Sequence, residues 1–204
     1  MKVLETFTGA DNYEFKVVEY DSTLKSDLEE FCQKCDKVGI LNNASLKALK
    51  FGKWGKQENW WFVYHKDEIV SMAGAHYLPH VHDKCYMINY RLATLPEWRN
   101  MADDRQNSRR MYHEFGFARL VPFMADWAVE QGATDCVVTT ASEDHSEDRS
   151  GTMHKIWRFA YVVWPHEDKL SLLHKDFPLY GIKQDVWRFN WRNFRTGERI
   201  EYAR

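Results

Sequence analysis

Residues 92–140 constrain the fold of this 204-residue chain more than any other stretch. Leu92-Ala-Thr-Leu-Pro-Glu-Trp-Arg99 reads as the end of a strand, because Pro96 removes a ladder donor. The charged stretch 99–114, a surface helix or an ordered insertion, lacks both glycine and proline. His113-Glu-Phe-Gly-Phe-Ala118 then turns into an amphipathic run with Leu120, Phe123, Met124, Trp127 and Ala128 on one stripe, stopped by Gly132. A second strand follows at 135–141. A glycine turn that opens a helix can hold an anion. The first N–H groups of a helix lack internal partners, and its dipole favours negative charge.

Length and composition bound the rest. A chain of 204 residues with 44 % apolar and 15 % aromatic residues can bury the core of one domain, read here as 1–204 without an internal linker. The formal net charge of −2 gives no reason to expect nucleic acid or an anionic membrane as partner. The longest apolar runs are too short to span a bilayer, and the first residues lack the pattern of a secretory signal. A soluble cytoplasmic protein is expected. Cys32 and Cys35 form a C-x-x-C, but both fall on the helical stripe Leu28, Phe31, Cys32, Cys35, Val38, and no second pair completes a metal site. They read as small core residues.

Elsewhere the patterning predicts a strand at 14–20 and a helix at roughly 23–38, capped by Asp21 or Ser22 and ended by Gly39. A short helix near 44–51 and a loop at 52–59 come next. Strands at 59–65 and 69–78 flank the turn Lys66-Asp67-Glu68, and a third runs over 85–95. Pro122 places the start of the following helix at about 118–120, since proline belongs in a first turn. After 135–141 come an acidic loop, a short helix at 152–159, and strands near 160–164 and 186–192.

That order of elements, with Leu92-Ala-Thr-Leu-Pro-Glu-Trp-Arg99, the helix-and-strand run Phe123–Thr140 with the Gly-Ala that ends its helix, and the hairpin before Gly74, resembles the GNAT superfamily of acyl-CoA N-acyltransferases. The resemblance covers most of the chain. It implies an α/β (α+β) fold: a mixed, mostly antiparallel sheet of six to seven strands flanked by about four helices. It also implies acyl transfer from acyl-CoA, with acetyl-CoA as cosubstrate, to an amine of a small molecule or peptide. A homodimer is among the assemblies it allows. The family's Arg/Gln-x-x-Gly-x-Gly/Ala loop normally follows the fourth strand at once. Here Arg99-Asn-Met-Ala-Asp-Asp104 stands there without glycine, and the nearest match is His113-Glu-Phe-Gly-Phe-Ala118. The second alignment treats 100–112 as an insertion. On it, His113, Phe115, Gly116, Phe117, Ala118 and Arg119 cradle the diphosphate, with Arg109, Arg110 or Arg119 adding charge.

The same resemblance implies that a main-chain amide near Leu95 polarises the thioester carbonyl. It implies a tyrosine acid on the last helix, where this chain has Ile156 or Trp157; Tyr161 is the substitute if the register slips. Glu97, Glu143, Asp144 and His145 are candidates for the base, with His145 titrating nearest neutrality by type. Asp and Glu at 143–148 suit a cationic acceptor. Two other patterns compete. His76, His80, His82 and Cys85 have ligand types that zinc accepts, placed on a hairpin turn. Trp187-Arg-Phe-Asn-Trp-Arg-Asn-Phe-Arg195 alternates aromatic and basic residues like a single-strand platform, but reads better as a strand with Trp187, Phe189 and Trp191 inward. The rival functions are a non-catalytic binding or structural protein on the same scaffold, and a zinc-stabilised binding module. No metal site is assigned.

Overall fold

The computed structural model describes residues 1–9, 12–37, 57–99, 117–141, 170–179, 181–189, 191–193 and 198–199. The chain divides into two compact units, Met1–His76 with Asn89–Met124, and Tyr77–Ile88 with Ala125–Arg204.

In the first unit, β1 (Lys2–Thr8), β2 (Glu14–Glu19), β3 (Glu58–His65) and β4 (Glu68–Tyr77) pair as consecutive antiparallel neighbours. The second half of β5 (Cys85–Thr94) lies beside β4. β3 carries a buried run from Trp60 to Tyr64 and β4 one from Ile69 to His76, and a two-residue turn joins them between His65 and Glu68. Helix α1 (Lys25–Lys37) follows a 3₁₀ turn at Ser22–Leu24, which Asp21 caps by accepting from the Thr23 N–H at 2.8 Å. Leu24, Leu28, Phe31 and Cys35 of this segment pack on Val18, Trp60, Phe62, Tyr64, Met72 and Leu95. Cys35 is thus a core residue, and burial together with Glu29 pushes the half-buried Cys32 thiol up to about 11. Helix α2 (Pro96–Arg99) is one turn long. Helix α3 (Phe117–Glu130) enters this unit with its first residues.

In the second unit the order is β5, β6 (Asp135–Ala141), β8 (Ile182–Phe189), β7 (Leu170–Leu179). β5 and β6 are parallel from Cys85↔Asp135 to Met87↔Val137, and the other ladders are antiparallel. Gly132, at φ +85°, takes the left-handed turn that ends α3. β9 (Trp191–Asn193) and β10 (Glu198–Arg199) form a separate short ladder. Among the described residues, no helix is long and apolar enough to cross a membrane.

The class of fold matches the expectation, with differences in detail. β1 to β8 are eight strands where six to seven were expected. The unexpected ones are β1 and β7. β1 buries only Phe7 fully, so its apolar pattern is faint. β7 carries Pro178, which marks an edge strand, and a left-handed Asp176 whose N–H is held by the buried Asp185 carboxylate at 2.9 Å. Helix α3 already includes Phe117, so Pro122 stands in its second turn and leaves the Ala118 carbonyl without its usual donor. The last long strand spans 182–189 rather than 186–192, with Phe189 buried and Trp187 half-buried. The expected elements at 44–51, 152–159 and 160–164 lie outside the described residues.

Gly74 has a packing role. A Cβ placed there would meet ring carbons of the buried Trp60 at 2.7 and 2.8 Å. Gly74→Ala is expected to destabilise the protein by about 1–3 kcal/mol, read from the urea midpoint.

Candidate functional site

The end of β5 is fixed from both sides. The Leu95 N–H donates to the Val70 carbonyl at 3.0 Å, and the Leu95 carbonyl accepts from the Trp98 N–H at 3.0 Å. Inside the sheet the buried Ser71 hydroxyl donates to the Ala93 carbonyl at 3.0 Å and lies 2.9 Å from the Thr94 hydroxyl, itself buried. At the other end of the strand pair, the Leu78 N–H donates to the Cys85 carbonyl at 2.7 Å. Between these ties β4 runs from Val70 to Leu78 and β5 from Cys85 to Leu95. β5 therefore carries two residues more than its partner, and a regular ladder cannot absorb them. Leu95's own amide is in use.

Past that strand end, Glu97 is exposed on the single turn of α2. Trp98 is half-buried against Phe15 (5.5 Å, edge-on), His65 (4.9 Å) and Tyr13 (6.1 Å). These rings anchor α2 to β2 and β3, and none was singled out from sequence. Across the gap of undescribed residues, α3 opens at Phe117 in the same unit as Leu92–Arg99. Phe117 and Ala118 are its first two described residues. Arg119 does not hold its guanidinium out for an anion: Nη1 pairs with Glu5 of β1, and the group lies 3.9 Å above the Phe7 ring. Its charge is already balanced.

The other expected positions separate into two groups. His113, Phe115, Gly116, Arg109, Arg110, Glu143, Asp144, His145, Ile156, Trp157 and Tyr161 lie outside the described residues. The four residues of the zinc-like pattern are placed, and they part company. His76 is buried in β4 against Tyr90, His80 is exposed, and His82 Nε2 is 2.8 Å from Asp135 with Nδ1 on the Asp83 carbonyl. Cys85 is buried where β5 begins, and burial, then Asp135 and Cys136, pushes its thiol up. Asp135 also takes Arg188 Nε at 2.7 Å. No group of three potential ligands able to hold a metal occurs among the described residues.

No family model matches the sequence, and no curated protein matches it. Solved structures do resemble the chain. One, assigned as an acetyltransferase of the GNAT family from Desulfovibrio desulfuricans, matches with a TM-score of 0.53 and 15 % identity, over 85 % of this chain and 98 % of that one. An acetyltransferase from Streptococcus agalactiae matches at 0.47 and 12 %, over 86 % and 97 %. An aminoglycoside 6′-N-acetyltransferase from Enterococcus faecium matches at 0.48 and 14 %, over 84 % and 94 %. The first of these establishes the likeness; the other two are too distant to carry an argument. The chain has the fold of the GNAT superfamily. At these identities the kinship shown is one of fold, and chemistry has to be argued from the chain's own residues.

The Arg119 pairing makes a specific prediction. Arg119→Met should cost about 1–3 kcal/mol of stability, because it leaves Glu5 without its partner and bares Phe7. It should change coenzyme A affinity less than twofold. Calorimetry on the variant checks both.

Proposed function

We propose that the chain is an acyltransferase that moves an acyl group, acetyl in the simplest case, from acyl-CoA to an amine of a small molecule or peptide. The observation that carries this reading is the pairing of two features. β5 holds two surplus residues between its ties at Cys85 and Leu95, and α3 opens at Phe117, the residue after Gly116 in sequence. The first supports an irregular β5 backbone along which a thioester and its pantetheine arm can lie. The second supports a helix N-terminus for the diphosphate, as the sequence resemblance to the GNAT superfamily implies.

Each residue then has a task. The amides from Phe115 to Arg119, with His113 beside them, hold the diphosphate of acetyl-CoA. A β5 amide next to Leu95 stabilises the oxygen that becomes negative as the amine attacks. Glu97 or His145 removes a proton from the acceptor ammonium, and Tyr161 returns one to the leaving thiolate. The side chain of Arg119 stays with Glu5 and contributes through its main chain alone.

Coenzyme A alone provides the test. At a hundred times its Kd a ligand specific to the folded state adds ~2.7 kcal/mol of stability, so the melting temperature should rise by several degrees. A melting temperature unmoved by millimolar coenzyme A would refute the transferase reading and favour a non-catalytic scaffold.

A further inference from the structure

Three ionisable side chains stand in a row across three strands of the first unit. Glu58 of β3 is directly opposite His76 of β4 in the antiparallel register, so the two share a face. The His76 imidazole meets the Tyr90 ring of β5 edge-on, with centroids 4.7 Å apart and planes at 80°. Tyr90 leans in turn on Trp60, two residues along β3 from Glu58, at 5.7 Å. Glu58 and Tyr90 are half-buried, and His76 is 1 % exposed. Trp60 and Tyr90 belong to the apolar cluster that α1 covers. An imidazole buried there costs free energy that an aliphatic residue would not. Tyr90 lies in the overlong stretch of β5 between Cys85 and Leu95.

The row matches the two demands that an alkyl amine makes on a transferase. The amine arrives as an ammonium ion, since amines of the lysine type titrate near pH 10.4. A carboxylate beside aromatic faces attracts that cation. It must then lose a proton before its lone pair can attack, and imidazole is the side chain whose ordinary titration suits that exchange near neutrality. We infer that Glu58, His76 and Tyr90 form the acceptor subsite, which takes a primary alkylammonium. This rests on the acyl-transfer reading above. Glu58 and Tyr90 meet the ammonium, and His76, behind them, holds the proton it gives up, taking the task given above to Glu97 or His145. The lone pair forms the C–N bond as the C–S bond breaks. The nitrogen's second proton is released while the thiolate takes one up, so the products are amide, coenzyme A thiol and one proton. Two ionisable groups that face His76 are Glu58 from β3 and Tyr90 from β5. Helix α1 brings the thiols of Cys32 and Cys35 to the neighbouring cluster.

The experiment uses the full chain with phenethylammonium chloride as probe, followed by NMR on labelled histidine and tyrosine. The amine should move the His76 and Tyr90 resonances, and Glu58→Gln should weaken binding at least tenfold. With acetyl-CoA added, thiol release should show an acid-side bend in the pH profile of kcat/KM for the amine. His76→Gln should abolish the bend while leaving KM for acetyl-CoA within twofold. Amine binding that Glu58→Gln leaves intact, or a bend that survives His76→Gln, overturns the proposal. Should His76→Gln fail to fold, Glu58→Gln decides alone. A coenzyme A stability shift without any response of His76 and Tyr90 to the amine sinks this subsite and leaves the transferase reading standing. An amine response without a coenzyme A shift sinks that reading, and the proton transfer with it.

Discussion

The hydrogen bond from the Leu95 N–H to the Val70 carbonyl decides where β5 stops, and the arrangement of the first unit follows from it. With that end fixed, and with the Leu78–Cys85 tie at the other, the two surplus residues of β5 have to be taken up between. Ser71 adds a buried anchor on Ala93 and Thr94. The regular ladder is thereby disturbed between these two ties. Pro96 then ends the strand by necessity, and Trp98 locks the following turn against Phe15 and His65.

Among the described residues, several charges are balanced locally. Glu5 neutralises Arg119, Asp135 gathers His82 and Arg188, and Glu68 and Glu30 hold Lys34. Each pair is internal to one unit or one element. Cationic side chains that look available to an anion in sequence are therefore partly occupied in the folded chain. This shifts the weight of any diphosphate site from side chains onto main-chain amides, as a helix N-terminus provides.

Much of the fold was legible in the residues, for a physical reason. β2, β3, β4, β5 and β6 bury one or both faces, so their apolar pattern is strong, and they lie within a residue or two of their expected bounds. The α1 stripe was equally clear, because Leu28, Phe31 and Cys35 all face the core. β1 and β7 escaped because edge strands need little apolar surface. The start of α3 was misjudged because a general rule about proline was outweighed by packing of Leu120, Val121 and Met124, all fully buried. The site divided similarly. Leu95, Glu97 and Arg119 could be named from local patterns, although local patterns could not foresee that Val70 uses the Leu95 amide or that Glu5 takes the Arg119 guanidinium. The row Glu58, His76 and Tyr90 depends on the register of strands far apart in the chain, which no window of sequence displays.

The central claim is that main-chain donors around Gly116 and just before Leu95 receive a coenzyme A molecule. Titrating the isotope-labelled protein with coenzyme A, and following its backbone amide resonances, tests this most directly. The account predicts large shifts confined to Phe115–Arg119 and Leu92–Thr94, saturating together with a single affinity. Saturation elsewhere with these two groups of amides unmoved would contradict it.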